Sequence, residues 1–112
     1  MPNVQITSLA EHLSLDPTRL VAFCDRWCIQ ELSLFGSALR GTLQPESDLD
    51  FLVTFRPEAE WSLVDHVRME EELAELVQRK VDLVSRRAIE RSANSIRRKA
   101  ILAEARPVYA AG

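Results

Sequence analysis

The sequence predicts an α/β protein in which helices pack on a small mixed sheet of three to four strands. Short apolar stretches rich in β-branched and aromatic residues, DFLVTF (50–55) and VDLVS (81–85), are typical of buried strands. They alternate with longer stretches in which apolar residues recur at helical spacing. The chain has 112 residues, 46% of them hydrophobic and 28% charged, which fits a single soluble domain.

The first part of the chain, residues 1–30, predicts two helices. SLAE (8–11) fits a capping box, and Asp16 followed by Pro17 is typical of a second helix start. Apolar residues then recur at helical spacing through Cys24 and Cys28, which we interpret as small core residues because no further metal ligands accompany them. Residues 32–35 predict a strand, residues 37–41 one or two helical turns, and residues 44–47 a loop.

The second half predicts strand, helix, strand and helix in turn. Strand 50–55 ends at Arg56 and Pro57, and a long helix is expected over residues 61–78. Its predicted core side carries Leu63, Val67, Ala74 and Val77, and its predicted solvated side carries Glu70, Glu71, Glu72 and Glu75. Strand 81–85 follows. Residues 86–112 are expected to be helical, with a break at 92–95 and an end or bend near Pro107, so residues 31–85 form the central core of one domain.

Charge is unevenly distributed along the chain. The net charge is −3, but residues 86–112 carry seven Lys and Arg against two Glu, a net +5. This segment is either a solvated basic helix or a docking surface for an acidic partner or for nucleotide phosphates. The overall acidity disfavours nucleic acid as a partner. No apolar run is long enough to span a membrane and no secretory leader is visible, so we expect a cytoplasmic location and no membrane association.

Two acids interrupt the entry to the central strand. Asp48 and Asp50 are spaced i and i+2, so in a strand they project from the same face. Paired carboxylates repel unless a cation lies between them, and Mg²⁺ prefers such oxygen ligands together with phosphates. This predicts a third acid on a neighbouring strand, for which Asp82 is the candidate. The alternative is that Asp48 caps a turn and Asp50 is a satisfied edge residue.

Gly36 and Ser37 follow the first predicted strand directly. Glycine allows the backbone to approach a ligand closely, and the N–H groups that open a following helix can bind an anion. The alternative is an ordinary strand-to-helix turn capped by Ser37. A Walker A loop is excluded because Thr42 stands where that motif requires lysine. An EF-hand loop is excluded because Leu52 and Val53 follow the acids.

Gly36 and Ser37, then ten residues, then Asp48-Leu49-Asp50 resemble the signature of the nucleotidyltransferase superfamily related to DNA polymerase β. The wider text, FGSALRG, PESDLDFLV, KVDLVS and IRRKAILAEARPVY, is similar to the minimal nucleotidyltransferase (MNT) family. The resemblance implies that Gly36 and Ser37 hold the terminal phosphates of ATP and that Asp48, Asp50 and Asp82 hold two Mg²⁺ ions. It also implies that Asp82 helps activate the attacking hydroxyl.

The resemblance leaves two further positions open. Arg40 is either a phosphate ligand or a surface arginine, and Ser47 either bonds the nucleotide or caps the turn before Asp48. MNT proteins are antitoxins of HEPN-domain ribonuclease toxins, so the resemblance implies transfer of AMP from ATP to a tyrosine of such a partner. Two alternatives remain: neutralisation of the HEPN toxin by binding alone, and a free-standing transferase acting on a small molecule.

Overall fold

The computed structural model describes residues 4–6, 13, 15–36, 39 and 48–111. Its helices and strands run in the order β1 (Val4–Ile6), α1 (Pro17–Arg26), β2 (Ile29–Phe35), β3 (Leu49–Phe55), α2 (Leu63–Val77), β4 (Val81–Ser85), α3 (Arg86–Glu90), α4 (Ser95–Glu104) and β5 (Arg106–Ala111). The predicted α/β fold class, with helices flanking a mixed sheet, is confirmed. The sheet has the order β1-β5-β2-β3-β4, and within it only β3 and β4 are parallel.

The sheet buries side chains on both faces. Leu49, Phe51 and Val53 of β3 pack with α1 and α2 in the larger cluster. Leu52 points to the opposite face, where it packs with Phe35 and with side chains of α3 and α4. Because side chains alternate along a strand, Asp50 shares the face of Leu52. Asp50 therefore lies on the same side of the sheet as the basic helical segment.

The number of strands differs from the prediction, because the described part of the sheet has five rather than three to four. The segment 86–112, predicted to be helical, forms α3 and α4 and then ends in β5. Pro107 made strand β5 difficult to recognise in the sequence. Pro107 lies where the register between β5 and β2 shifts, and such irregular positions tolerate a residue without a backbone N–H. Val108 and Tyr109 of β5 are fully buried.

The predicted core side of α2 is wrong for Leu63 and Val67, although Val77 does pack against the core. Leu63 is 80% exposed and Val67 is 46% exposed, whereas the buried residues of this helix are Met69 and Leu73. Apolar residues occur on more than one side of α2, so periodicity alone did not decide which side meets the sheet. The boundaries were nearly right, and a capping box between Ser62 and Asp65 fixes the start of the helix.

Two polar side chains of α2 cover the edge strand β4. His66 Nε2 donates to the carbonyl oxygen of Leu83 at 2.7 Å, and Glu70 Oε2 accepts from the Leu83 N–H at 2.9 Å. Glu70 was predicted to be solvated, but its side chain instead accepts this hydrogen bond from β4. Capping of this kind protects an edge strand from pairing with another chain.

The remaining predictions fall partly on described residues and partly outside them. Asp16 caps α1 through the Thr18 and Arg19 N–H groups, as predicted. Cys24 is a buried core residue whose thiol pKa is raised by burial, whereas Cys28 lies in the turn after α1 with a φ of 53°. The predicted helix near Ser8, the turns at 37–41 and the loop at 44–47 lie outside the described residues. Among the described helices, none combines the length and apolar character needed to span a bilayer.

Candidate active site

Asp50 and Asp82 lie side by side on the parallel strands β3 and β4. The register pairs Asp50 with Asp82, and on the other side of β3 it pairs Asp50 with Phe35, the last residue of β2. Asp50 is half-buried, and Asp82 and Asp48 are exposed. The prediction that an acid on a neighbouring strand faces Asp50 is therefore met in the register of the sheet.

The electrostatics of Asp50 reflect this crowding. Burial raises the pKa of the Asp50 carboxyl above its ordinary value, and the neighbouring charges of Asp82, Asp48 and Glu104 raise it further. The Arg97 guanidinium, on α4, acts in the opposite direction and lowers it. Burial and the neighbouring acids therefore disfavour the charged form of Asp50, and a bound cation would favour it.

The backbone of Gly36 lies directly against the Asp50 carboxylate. Gly36 has a φ of +82°, a conformation that L side chains rarely adopt. A Cβ at this position would overlap Asp50 Oδ2 and lie 3.2 Å from Asp50 Cγ. Glycine is thus required twice, by its backbone conformation and by this close approach. The turn after β2 and the acids of β3 form two adjacent walls of one site.

The N–H of Gly36 donates a hydrogen bond to Glu104 Oε1 at 3.1 Å. This N–H thus donates to an anionic group of the chain itself, and the predicted binding of a phosphate by this turn stays a prediction. Sequence reasoning did not identify Glu104, although it is one of only two acids in the basic segment 86–112. Arg97 lies seven residues earlier on α4, so both residues project from about the same side of that helix.

Two recesses adjoin the paired strands. A shallow cavity of about 370 Å³ lies beside Asp48 and Asp82, and Glu70, Glu71 and Lys80 also contribute to its walls. A larger cleft of about 680 Å³ lies at the opposite, carboxyl-terminal ends of β3 and β4. The larger recess is therefore separate from the acids. Asp50 and Gly36 do not line the smaller cavity, so the candidate active site is the contact between Asp50 and Gly36 together with the neighbouring Asp48 and Asp82.

The described acids do not form a complete set of metal ligands. Within the described residues, no group of three or more His, Cys, Asp and Glu side chains is placed to hold a metal ion. Mg²⁺ commonly takes only one or two carboxylates and completes its shell with phosphates and water, so Asp50 and Asp82 suit its chemistry. Ser37, Arg40 and Ser47 lie outside the described residues, and their predicted roles remain predictions.

Comparison with known families identifies a match over most of the chain. Residues 20–109 match the model of the nucleotidyltransferase domain. The protein adenylyltransferase MntA of Thermococcus cleftensis is 37% identical over 65 residues, which are 58% of this chain and 64% of that protein. The chain spans less than two thirds of the length of the curated relatives that it matches.

Solved structures give the same fold. A protein provisionally assigned as a minimal nucleotidyltransferase is 32% identical, with a TM-score of 0.63, and the match covers 89% of this chain and 92% of that one. The MNT antitoxin in complex with a tri-AMPylated HEPN toxin from Shewanella oneidensis is 18% identical, with a TM-score of 0.55. That match covers 83% of this chain and 68% of the other, and at this identity it supports the fold alone.

We expect Gly36→Ala to lower the free energy of unfolding by at least ~1–2 kcal/mol, the cost of a left-handed backbone for a residue with a Cβ. Overlap with Asp50 adds to this cost. Urea denaturation measures the change. Gln78→Gly is the matched control, because Gln78 has a φ of 58° at the end of α2 and glycine suits that position. Unchanged stability in Gly36→Ala would contradict the close approach.

We expect Asp50→Asn to raise the melting temperature at pH 7 in EDTA. The folded-state pKa of Asp50 is raised, so wild type loses stability as the pH rises from the ordinary carboxyl range through that value. The variant escapes this loss, and its advantage should vanish at a pH below the ordinary carboxyl pKa of about 4.

Asp65→Asn is the control of opposite sign for this pH series. Hydrogen bonds from the backbone and hydroxyl of Ser62 lower the pKa of Asp65. This carboxylate therefore contributes stability above its ordinary pKa, and the contribution disappears as the pH falls. Asp65→Asn should accordingly lower the melting temperature at pH 7. A stabilising Asp65→Asn, or a destabilising Asp50→Asn, would refute these assignments.

Proposed function

Because the chain belongs to the nucleotidyltransferase domain family, we propose that it transfers AMP from ATP to a tyrosine hydroxyl of a HEPN-domain toxin and thereby neutralises the toxin. The observation that carries the proposal is the pairing of Asp50 with Asp82 beside the close backbone approach of Gly36. The names of the relatives support the acceptor class, since one is a protein adenylyltransferase and another forms a complex with an AMPylated HEPN toxin.

The proposed reaction is an in-line displacement at the α-phosphorus of ATP. The tyrosine oxygen forms a new bond to that phosphorus, and the bond from phosphorus to the pyrophosphate oxygen breaks. The hydroxyl proton passes to a carboxylate, for which the exposed Asp82 is the proposed acceptor. The products are a tyrosine phosphodiester of AMP, pyrophosphate and one proton.

The site residues divide into phosphate and cation ligands. In the proposal, the backbone N–H of Gly36 and the Ser37 hydroxyl bind the terminal phosphates, with Arg40 and Ser47 as further contacts to the nucleotide. Asp48, Asp50 and Asp82 hold two Mg²⁺ ions. Their oxygen donors fit Mg²⁺, and the burial and neighbouring acids that raise the Asp50 pKa make a cation favourable at this site.

Charge balance explains why carboxylates suit a site for an anionic substrate. Asp48, Asp82 and Glu104 surround Asp50, while Arg97 supplies positive charge from α4. A triphosphate is repelled by such a group of acids on its own. Bound Mg²⁺ would neutralise the phosphate oxygens and stabilise the entering and leaving oxygens of the displacement. The chain itself then supplies mainly position: a fixed pair of strands and a turn that permits only glycine.

Label transfer tests the proposal. We expect the chain to transfer label from α-³²P ATP, in the presence of Mg²⁺, to a HEPN-domain protein encoded by an adjacent reading frame. The Asp48→Ala/Asp50→Ala variant should lose about 10²-fold or more, the scale for removing groups that stabilise transition-state charge. Asp25→Ala, at an exposed aspartate of α1, is the control and should retain the activity.

The readouts must separate catalysis from contact. Toxin ribonuclease activity is therefore measured beside label transfer, and mass spectrometry locates the added AMP. If wild type transfers no label while the double aspartate variant still neutralises the toxin fully, the transferase proposal fails and neutralisation by binding alone replaces it. Transfer to a small hydroxyl compound without a protein acceptor would equally overturn it.

We expect Glu104→Gln to bind ATP in Mg²⁺ about 5-fold more tightly, which corresponds to roughly 1 kcal/mol of relieved charge repulsion. Glu104 accepts from the Gly36 N–H that the proposal gives to a phosphate, so its carboxylate and the phosphate compete for one donor. Glutamine keeps an acceptor oxygen but removes the charge. Isothermal titration calorimetry measures the affinity, with Glu90→Gln on α3 as the control. If Glu104→Gln binds ATP more weakly than wild type, we would conclude that Glu104 stabilises the Gly36 turn.

A further inference from the structure

The larger cleft, of about 680 Å³, lies well away from the candidate active site. It is bounded by the end of β3, by residues 56–62 before and at the start of α2, and by Ser85 and the following residues of α3. On β3 its wall runs from Val53 to Phe55, three to five residues beyond Asp50. At ~3.3 Å per residue of strand these positions are about 10 to 17 Å from Asp50, so the cleft and the acids lie towards opposite ends of the same strands.

Exposed apolar side chains are concentrated beside this cleft. Four of the five large hydrophobic residues that are exposed in the described part of the chain lie at or near the start of α2. We call these four the α2 patch: Trp61 (36% exposed), Leu63 (80%), Val64 (61%) and Val67 (46%). Scattered apolar residues on a surface are normal, whereas a contiguous exposed apolar group is typical of an interaction surface. Leu63, Val64 and Val67 lie on adjacent turns of α2, and Trp61 lies just before it.

The α2 patch is held in place by its surroundings. Trp61 Nε1 donates to the carbonyl oxygen of Trp27 at 3.0 Å, and the two rings meet edge to face at 5.1 Å. The capping box of Ser62 and Asp65 fixes the first turn of α2. A pre-ordered apolar surface of this kind loses little conformational entropy when a partner binds.

The cleft adds positive charge to the α2 patch. Arg56, Arg86 and Arg87 line it, against Glu60 and Glu90. Arg86 is engaged with Glu90 at 3.7 Å, and Arg56 with Asp25 at 3.8 Å. Arg87 is exposed and takes part in no ion pair within the described residues. An apolar ridge beside an arginine-lined cleft is complementary to apolar side chains flanked by carboxylates.

We propose that the α2 patch and the arginine-lined cleft form the docking surface for the HEPN-domain protein that serves as acceptor. This inference rests on the proposed function, and it assigns the partner to a surface distinct from the catalytic acids. The partner element that docks here presents apolar side chains with acidic neighbours. A protein-sized partner, which covers about 800 Å² of surface in a typical complex, reaches from the cleft towards the acids.

Other occupants fit this surface less well. A second copy of the chain related by a two-fold axis would place the surface against itself, so the exposed Arg87 would meet a cleft wall that carries three arginines against two glutamates. A small molecule in the cleft would leave Leu63 and Val64 exposed, since these side chains lie outside the cleft wall.

Binding without catalysis tests the docking surface. The full chain is titrated with the neighbouring HEPN-domain protein in the absence of ATP. We expect Leu63→Glu/Val67→Glu and Arg87→Glu each to weaken binding at least tenfold while ATP affinity stays unchanged. Ile96→Glu, at the remaining exposed apolar residue (83%, on α4), is the matched control for the first variant. Arg19→Glu, at an exposed arginine of α1, is the control for the second.

Each outcome separates this inference from the proposed function. All the substituted side chains are exposed, and thermal melting verifies that every variant is folded. If wild type binds and both docking variants bind equally well, the docking surface is refuted and the transferase proposal stands. If binding depends on the α2 patch but no label is transferred, the docking surface stands and the transferase proposal fails. Absence of binding by wild type refutes the docking assignment, and wild-type self-association abolished by Leu63→Glu/Val67→Glu refutes it in favour of a second copy.

Discussion

Carboxylates on adjacent strands repel each other. Apolar side chains buried on the other face of β3 and β4 nevertheless keep Asp50 and Asp82 opposite one another. The register that pairs these acids also pairs Leu49 with Val81 and Phe51 with Leu83. Those neighbours belong to the larger hydrophobic cluster, where each buried side chain of this size contributes about 1.5–3 kcal/mol. A slip of one residue would exchange the two faces, so the burial that holds the strands together also fixes the acids in place.

The position of β5, which the sequence did not predict, explains the contact between Gly36 and Glu104. β5 pairs with β2 so that Leu34 lies opposite Arg106. Gly36 and Glu104 lie just beyond this paired end, where the Gly36 N–H donates to the Glu104 side chain. The pairing of β5 with β2 therefore places the end of α4 beside the Gly36 turn.

Those parts of the fold that depend on local pattern could be predicted, and those that depend on tertiary choice could not. β3, β4 and the caps of α1 and α2 follow from residue types within a few positions. The buried side of α2 does not, because Leu63, Val67, Met69 and Leu73 are all apolar and only the sheet decides which pair it covers. β5 was missed because Pro107 suggests the end of an element, although a register shift accommodates it. In the site, Asp50, Asp82 and Gly36 came from spacing and chemistry, whereas Glu104 needed the pairing of β5.

The crossover from β3 through α2 to β4 links two surfaces with different physical tasks. At the amino-terminal ends of β3 and β4, the carboxylates favour cations and oppose the packing of an apolar partner. At the carboxyl-terminal ends, exposed apolar side chains and arginines favour a protein surface and offer nothing to a magnesium ion. Under the proposed function, binding free energy gained at the second surface would lower the barrier at the first only if the acceptor hydroxyl arrives in line with the α-phosphorus. Because the cleft wall lies about 10 to 17 Å from Asp50, the shape of the proposed partner, rather than the local sequence around its tyrosine, would then determine which hydroxyl reacts.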